Sequence, residues 1–233
     1  MTAQEFSTQF DLSYNNLMTD KAPEVNEYEK SYLLTMAQEQ LVKQLYQSFE
    51  VAELMRRGCD TLVTKADLAP VAGAAVTPLT RSGFHQGVFT LPDDLWYVIH
   101  ESVLVKGSDP CYEGRHIKVR PERYDELDRD LGNPFRSPDS SRALRIDAGA
   151  LEGGRTVEIV SSKEIGGYSV QYIRRPRPIL LVDLDDGEWA GYGLRLRGET
   201  AFDPERPCEL GESIHNEIVT MAAQMAQAAY KGA

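Results

Sequence analysis

Apolar positions along this chain change their period twice, from helical spacing to alternation and back to helical spacing. Thr2 and Glu5 stand at capping-box spacing, and Phe6, Phe10, Tyr14 and Leu17 follow at helical intervals. Ala22-Pro23 disfavours α geometry, so this first helix is expected to stop near Thr19. Asn26 and Glu29 form a second capping pair. Behind them Val25, Tyr28, Tyr32, Met36, Leu45 and Phe49, widened by Leu33, Ala37 and Leu41, predict one apolar stripe on a helix of about six turns. A third helix is expected over residues 50–63, with Leu54, Met55, Leu62 and Val63 apolar and Gly58 weakening it. Residues 66–83, rich in Ala, Pro, Gly and Thr, read as a loop.

Alternation then takes over. Strands are expected at residues 87–91 and 95–106, the second with Leu95, Tyr97, Ile99, Val103 and Val105 on one face and Glu101 interrupting it. Val157 and Ile159, then Tyr168, Val170 and Tyr172, then Tyr192, Leu194 and Leu196 mark three more. Gly153-Gly154, Gly166-Gly167 and Asp186-Gly187 read as hairpin turns, which implies antiparallel pairing. Residues 121–131 suggest a short surface helix closed by Gly132. The last stripe, Ile214, Ile218, Met221, Ala222, Met225 and Ala229, is helical, with enough alanine to let other helices approach closely. The expected class is α+β: an N-terminal helical hairpin or bundle, an antiparallel β-rich middle, and a C-terminal helix packing back on the N-terminal helices. In segments this gives a helical part at 1–68, a β-rich part at 69–210 and the last helix at 211–233, together one composite domain.

Composition narrows the function more than the fold. No apolar run approaches the ~20 residues a spanning helix needs, and the polar start with Gln4, Glu5 and Asp11 does not read as a signal peptide. A cytoplasmic site of synthesis is therefore expected. Cys59, Cys111 and Cys208 are too few and too far apart for a disulfide framework or a zinc knuckle. The net charge of −11 is uneven: residues 1–68 carry 11 acids against 6 bases, residues 69–182 balance at 15 each, and residues 183–233 carry 10 against 4. A freestanding DNA-binding protein shows the opposite sign. An acidic wall past which DNA slides without sticking is compatible with this balance, as is plain solubility.

Candidate chemistry is thin. The run from Asp183 to Glu188 resembles a calcium loop, but glycine is fifth rather than sixth, and the twelfth residue is Leu194 rather than glutamate. A tight acidic turn explains it better. Cys208, His215 and Glu217 contain a nucleophile, a base and a carboxylate, yet nothing in their spacing forces contact. The simpler reading packs Cys208 as a small hydrophobe and leaves His215 and Glu217 on the first turn of the last helix. His85, His100 and His116 are isolated. Arg174, Arg175 and Arg177 cluster at a strand end near Tyr168 and Tyr172, suited to phosphate or to the carboxylates of a neighbouring subunit. Glu101 on an apolar face is a lone carboxylate, weak ground for acid–base catalysis. No GxGxxG, P-loop, GxSxG or HExxH is present, so no cofactor, catalytic or metal site is expected.

Certain fragments nonetheless carry a resemblance. Residues 5–11, Tyr14-Asn15-Asn16, Ala22-Pro23, Glu27 to Ser31, Leu34-Thr35 and Ala37-Gln38 stand at one end. Asn133-Pro134-Phe135-Arg136-Ser137-Pro138, Arg174-Arg175-Pro176-Arg177-Pro178-Ile179, and Cys208-Glu209-Leu210 with His215, Glu217 and Ile218 follow in order. Together they resemble a family of virion proteins in crAss-like and related short-tailed phages. That resemblance implies a head-to-tail connector or ring (adaptor) protein without enzymatic activity. It implies a homo-oligomeric ring of twelve copies docked below the portal protein, with other neck and tail proteins as partners and genomic DNA passing through the lumen without sequence-specific binding. No membrane is involved; the expected location is the virion neck or tail, after assembly from host cytoplasm. The interface candidates are Phe6, Phe10 and Tyr14 on the first helix and Arg174, Arg175 and Arg177. Residues 66–84 and the turn at Asp183 depart from the pattern. Two other readings compete: a tail-tube or stopper subunit, and a small-ligand enzyme using Cys208, His215 and Glu101. Nucleic-acid binding through Arg174, Arg175 and Arg177 is a further alternative.

Overall fold

The computed structural model describes residues 1–17, 23–47, 58–106, 113–151, 154–186, 189, 196 and 202–231. The chain divides into two compact units, Met1–Leu62 with Arg175–Ala233, and Val63–Arg174.

In the first unit the helices are α1 (Ala3–Leu17), α2 (Glu27–Gln47) and α4 (His215–Lys231). Both expected capping boxes form. The Thr2 N–H donates to the Glu5 carboxylate at 2.8 Å and the Glu5 N–H to Thr2 Oγ1 at 3.3 Å. Asn26 and Glu29 repeat the exchange at 3.0 and 2.8 Å, so each helix start satisfies two otherwise orphan donors. α1 and α2 both lean on α4 far more than on each other. The reason is small side chains: Ala222, Ala223 and Ala226 are fully buried beside Ile218 and Val219, which lets two helices approach α4 from different sides.

The stripe expected on α2 is rotated. Its buried residues are Lys30, Ser31, Leu34, Ala37, Gln38, Leu41 and Val42, while Tyr32 and Met36 are 48% and 44% exposed. Ser31 and Gln38 are buried, and Thr35 partly so, because they bind main chain. The Ile179 N–H donates to Thr35 Oγ1 at 3.0 Å, the Leu181 N–H to Ser31 Oγ at 2.9 Å, and Gln38 Nε2 to the Arg177 carbonyl at 2.9 Å. Three side chains on one helical face thus hold alternate residues of a segment running antiparallel to α2. Phe49 lies outside the described residues, as does most of the third helix expected over 50–63. Of its described end, Gly58 and Cys59 are helical, Asp60–Leu62 is a 3₁₀ turn and Val63 begins a strand.

The second unit is a seven-stranded sheet of β1 (Val63–Leu68), β2 (His85–Thr90), β3 (Leu95–Val105), β4 (His116–Glu122), β5 (Arg142–Leu151), β6 (Gly154–Ser161) and β7 (Ile165–Arg174), in the order β1-β7-β3-β4-β5-β6-β2. Phe89 of β2 and Tyr168 of β7 stand far apart in that order, yet their rings lie 5.4 Å apart, so the sheet curls. Inside the curl is a core of Phe89, Val103, Val105, Ile117, Val157, Ile159, Tyr168, Val170 and Tyr172. A smaller cluster joins Leu127 and Leu131 of the short helix α3 (Leu127–Gly132) to Leu144, Ile146 and Val160.

Several expectations change here. All pairs are antiparallel except β4–β5, which is parallel; the chain between them passes through α3 rather than a tight turn, as parallel pairing requires. Pro121 and Glu122, expected in the surface helix, end β4. Gly166-Gly167 is no turn but lies inside β7. A Cβ on Gly166 would sit 3.0 Å from Lys106 Cβ, and one on Gly167 would sit 3.4 Å from the Leu68 carbonyl, so close approach of strands explains the pair. Gly154, with φ near 142°, does serve the β5–β6 hairpin. On β3, register shifts between Leu95 and Tyr97 and between Val98 and His100 break simple alternation. Ile99 is consequently only half-buried, while Val98 packs on the core. The expected loop begins after Leu68. The expected strand around Tyr192 and Leu194, and Gly187, lie outside the described residues.

Candidate assembly surface

Phe6 and Phe10 are fully buried and Tyr14 is 3% exposed. Phe6 packs 5.1 Å from the His215 ring, and Tyr14 meets Tyr230 edge-on at 6.4 Å. These three expected contact residues are therefore core of their own chain, because their stripe is the face that α1 turns to α4. The outer face of α1 carries Leu12 instead, 61% exposed.

Beside them is a group that hydrophobic spacing could not reveal. Lys30 is only 4% exposed. Its ammonium donates to Asp11 at 2.8 Å, Glu27 at 2.9 Å and Ser7 Oγ at 3.1 Å, tying α1 to α2. Burial alone lowers a lysine pKa, but hydrogen bonds to Asp11 and Glu27 outweigh it and leave Lys30 above its ordinary value.

Arg175 and Arg177 find carboxylates within their own chain. Arg177 Nε lies 2.8 Å from Glu209, whose other oxygen accepts the Arg177 N–H at 3.2 Å. Arg175 Nε lies 3.7 Å from Glu39. Arg174 ends β7 and is half-buried, near enough to Tyr172 to act on it electrostatically. Tyr172 donates to Asp94 at 3.0 Å, and burial pushes its hydroxyl up to about 12.

No activated dyad exists at Cys208 and His215. His215 is buried rather than decorating a helical turn: Nε2 faces the Leu210 carbonyl at 2.9 Å and Nδ1 faces the Met1 ammonium at 3.4 Å. Burial, with help from that ammonium, lowers its pKa. The Cys208 thiol points to Gln38 Oε1 at 3.6 Å, and burial raises it to about 12. That is the reverse of what a nucleophile needs. Glu101 is buried too, taken up by Arg145 and by the Tyr168 hydroxyl at 3.0 Å, an arrangement that fixes β3, β5 and β7 to one another. The Asp183 carboxylate accepts the Asp185 N–H at 3.0 Å, a local turn contact. Among the described residues no group of three or more His, Cys, Asp or Glu side chains could hold a metal. No described helix is long and apolar enough to cross a membrane.

The surface itself is more informative. The corner around α3 exposes Tyr124 (65%) just before the helix and Phe135 (86%) just after it. Phe135 falls in one of the fragments that carried the resemblance, but its exposure has no signature in spacing. The loop over residues 69–84 is pinned at its middle: buried Glu158 accepts the Thr77 N–H and hydroxyl and the Gln86 amide, at 2.6–3.1 Å.

The profile of the family described as Phage tail ring protein 3/4 matches residues 1–233. The chain belongs to that family. Ring protein 4/5 of Bacteroides phage crAss001 is 32% identical, with all of this chain and 94% of that protein aligned. Ring protein 3 of the same phage is 33% identical, over 97% of this chain and 95% of its own length. The resemblance read from the fragments is thereby borne out over the whole chain. Membership of the ring-protein family assigns a structural role in the phage tail or neck and a place in the virion, and it argues against an enzyme.

Proposed function

We propose that this chain forms a closed homo-oligomeric ring of twelve copies in the head-to-tail connector, below the portal, with DNA passing through the lumen. The observation that carries the reading is the end-to-end match to ring proteins, at 32% and 33% identity. Two features support it. The unit formed by Met1–Leu62 and Arg175–Ala233 carries 20 acids against 11 bases, whereas Val63–Arg174 carries 16 against 14. A wall of the first kind repels DNA phosphate and permits sliding. Cys208, His215 and Glu101, the side chains a small-ligand enzyme would use, are each engaged in holding the fold. On this reading the outer face of α1 and the corner of Arg174, Arg175 and Arg177 meet the portal or the next ring, and subunits accumulate in host cytoplasm before they assemble. The test is the mass of the purified chain, alone and mixed with portal protein, with the particles imaged by electron microscopy. Closed rings, or rings stacked on the portal, are expected. A monomer that ignores the portal under every assembly condition would refute the reading.

A further inference from the structure

We infer that the lateral contact closing the ring is made by the Phe135 turn of one copy seated on the Tyr32–Met36 face of α2 in the next copy. The inference rests on the ring reading above and supplies its two complementary faces. Rotation around a closed ring joins unlike surfaces, so every chain must carry both a donor and an acceptor.

The donor is a rigid turn. The Asn133 carbonyl accepts the Arg136 and Ser137 N–H groups at 3.0 and 2.8 Å, and Asn133 Oδ1 accepts the Phe135 N–H at 3.0 Å. Arg142 Nη2 donates to the Phe135 carbonyl at 2.8 Å and to the Ser137 carbonyl at 3.1 Å. Arg136 is drawn back onto fully buried Asp130 at 3.3 Å. All of this holds in place an aromatic ring that is 86% exposed and serves no internal core. A turn already ordered loses little freedom on docking, and an aromatic beside arginines is the composition of an interface anchor.

The acceptor is the outer face of α2. Tyr32 and Met36 stand one turn apart, both exposed, and methionine adapts to an incoming ring. The charges also match. Between residues 115 and 136 six bases stand against five acids, of which Asp130 is fully buried and the Glu122 side chain is 5% exposed, so bases prevail at the surface. From residue 23 to 47 the acids are Glu24, Glu27, Glu29 and Glu39, against Lys43 and the buried Lys30. A basic-rimmed aromatic knob therefore meets an acidic helix with an apolar patch.

Two single variants and their mixture test this. Phe135→Glu keeps the acceptor and loses the knob, and Met36→Glu keeps the knob and loses the acceptor. Both positions are exposed, so each variant is expected to melt with the wild type while sedimenting as a 26.1 kDa monomer where the wild type forms rings. Mixed, they are expected to give a dimer and nothing larger, because one intact contact remains and neither end can extend. Rings from either single variant, or no dimer on mixing two folded monomers, would overturn the assignment while leaving the ring itself standing. A wild type that stays monomeric, alone and with portal, would instead remove the reading beneath it.

Discussion

Replacing Lys30 separates two contributions that the structure superimposes. Lys30→Met keeps most of the buried stem and removes the ammonium, and with it the contacts to Asp11, Glu27 and Ser7. A hydrogen bond to a charged group contributes about 1.5–3 kcal/mol when both partners are buried. Here the Asp11 and Glu27 side chains are 48% and 38% exposed, so water recovers much of their solvation, and the pairing moves toward the ~0–1 kcal/mol of exposed pairs. The expected cost of Lys30→Met is about 1–2 kcal/mol from these two limits. Lys30→Ala also strips about three buried methylenes at ~0.8 kcal/mol each and is expected to cost about 3–4 kcal/mol in all. For a chain of this length each kcal/mol moves the melting point by about 2–4 °C. Urea unfolding followed by far-UV circular dichroism measures both. A Lys30→Met variant as stable as the wild type would show that desolvating the ammonium cancels its pairing, and the account of the α1–α2 tie would be wrong. The sign with pH is also fixed: because the folded pKa is raised, the stabilisation is fully present below the ordinary 10.5 and fades as pH climbs through the folded value.

Three further outcomes are expected. His215 is held below its ordinary 6.5 by burial, so the unfolded chain takes the proton first; stability should fall as pH drops below about 6.5, and the slope should flatten in His215→Gln, as read by melting point against pH. Burial raises Cys59 to about 11 and Cys208 to about 12, so in a Cys111→Ser background thiol labelling at mildly alkaline pH should be on the order of 100-fold slower in native protein than in denaturant; equal rates would contradict the burial. Glu158→Ala leaves the Thr77 N–H without its acceptor and the Gln86 amide with the Thr77 carbonyl alone, at a cost of about 2–3 kcal/mol, and limited trypsin digestion should cut after Arg81 faster than in the wild type.

The elements most legible in the sequence were those whose signal is local. Both capping boxes are written in four residues each, and the alanine-rich last helix packs on the other helices as expected, although Val219, Ala223 and Ala226 complete its buried face while Met221 and Met225 are half-buried and Ala229 is exposed. What misled was burial that serves the backbone. Ser31, Thr35 and Gln38 look like a solvent face to any count of hydrophobicity, yet they grip main chain, which turned the expected stripe of α2 outward. Gly166-Gly167 has the composition of a turn and the job of a spacer between strands. The parallel β4–β5 pair depends on a crossover that alternation within strands does not encode. For the candidate surface, the aromatic residues of α1 were visible but their direction was not. The exposure of Phe135 arises from contacts between residues 130 and 142 that only the folded turn brings together.

The grip of α2 on Arg177, Ile179 and Leu181 also works as a keyed lock. On the segment's side its donors and acceptors belong to the peptide backbone, so the grip itself reads main chain rather than the side chains of Arg177, Ile179 and Leu181. The residue between Arg177 and Ile179 is Pro178, and proline has no N–H to offer. A slip of one residue would bring Pro178 to the hydroxyl that now holds Ile179, and the hydroxyl would find no donor. Pro178 thus disfavours the one-residue slip in that direction and helps to set the register of this segment on α2.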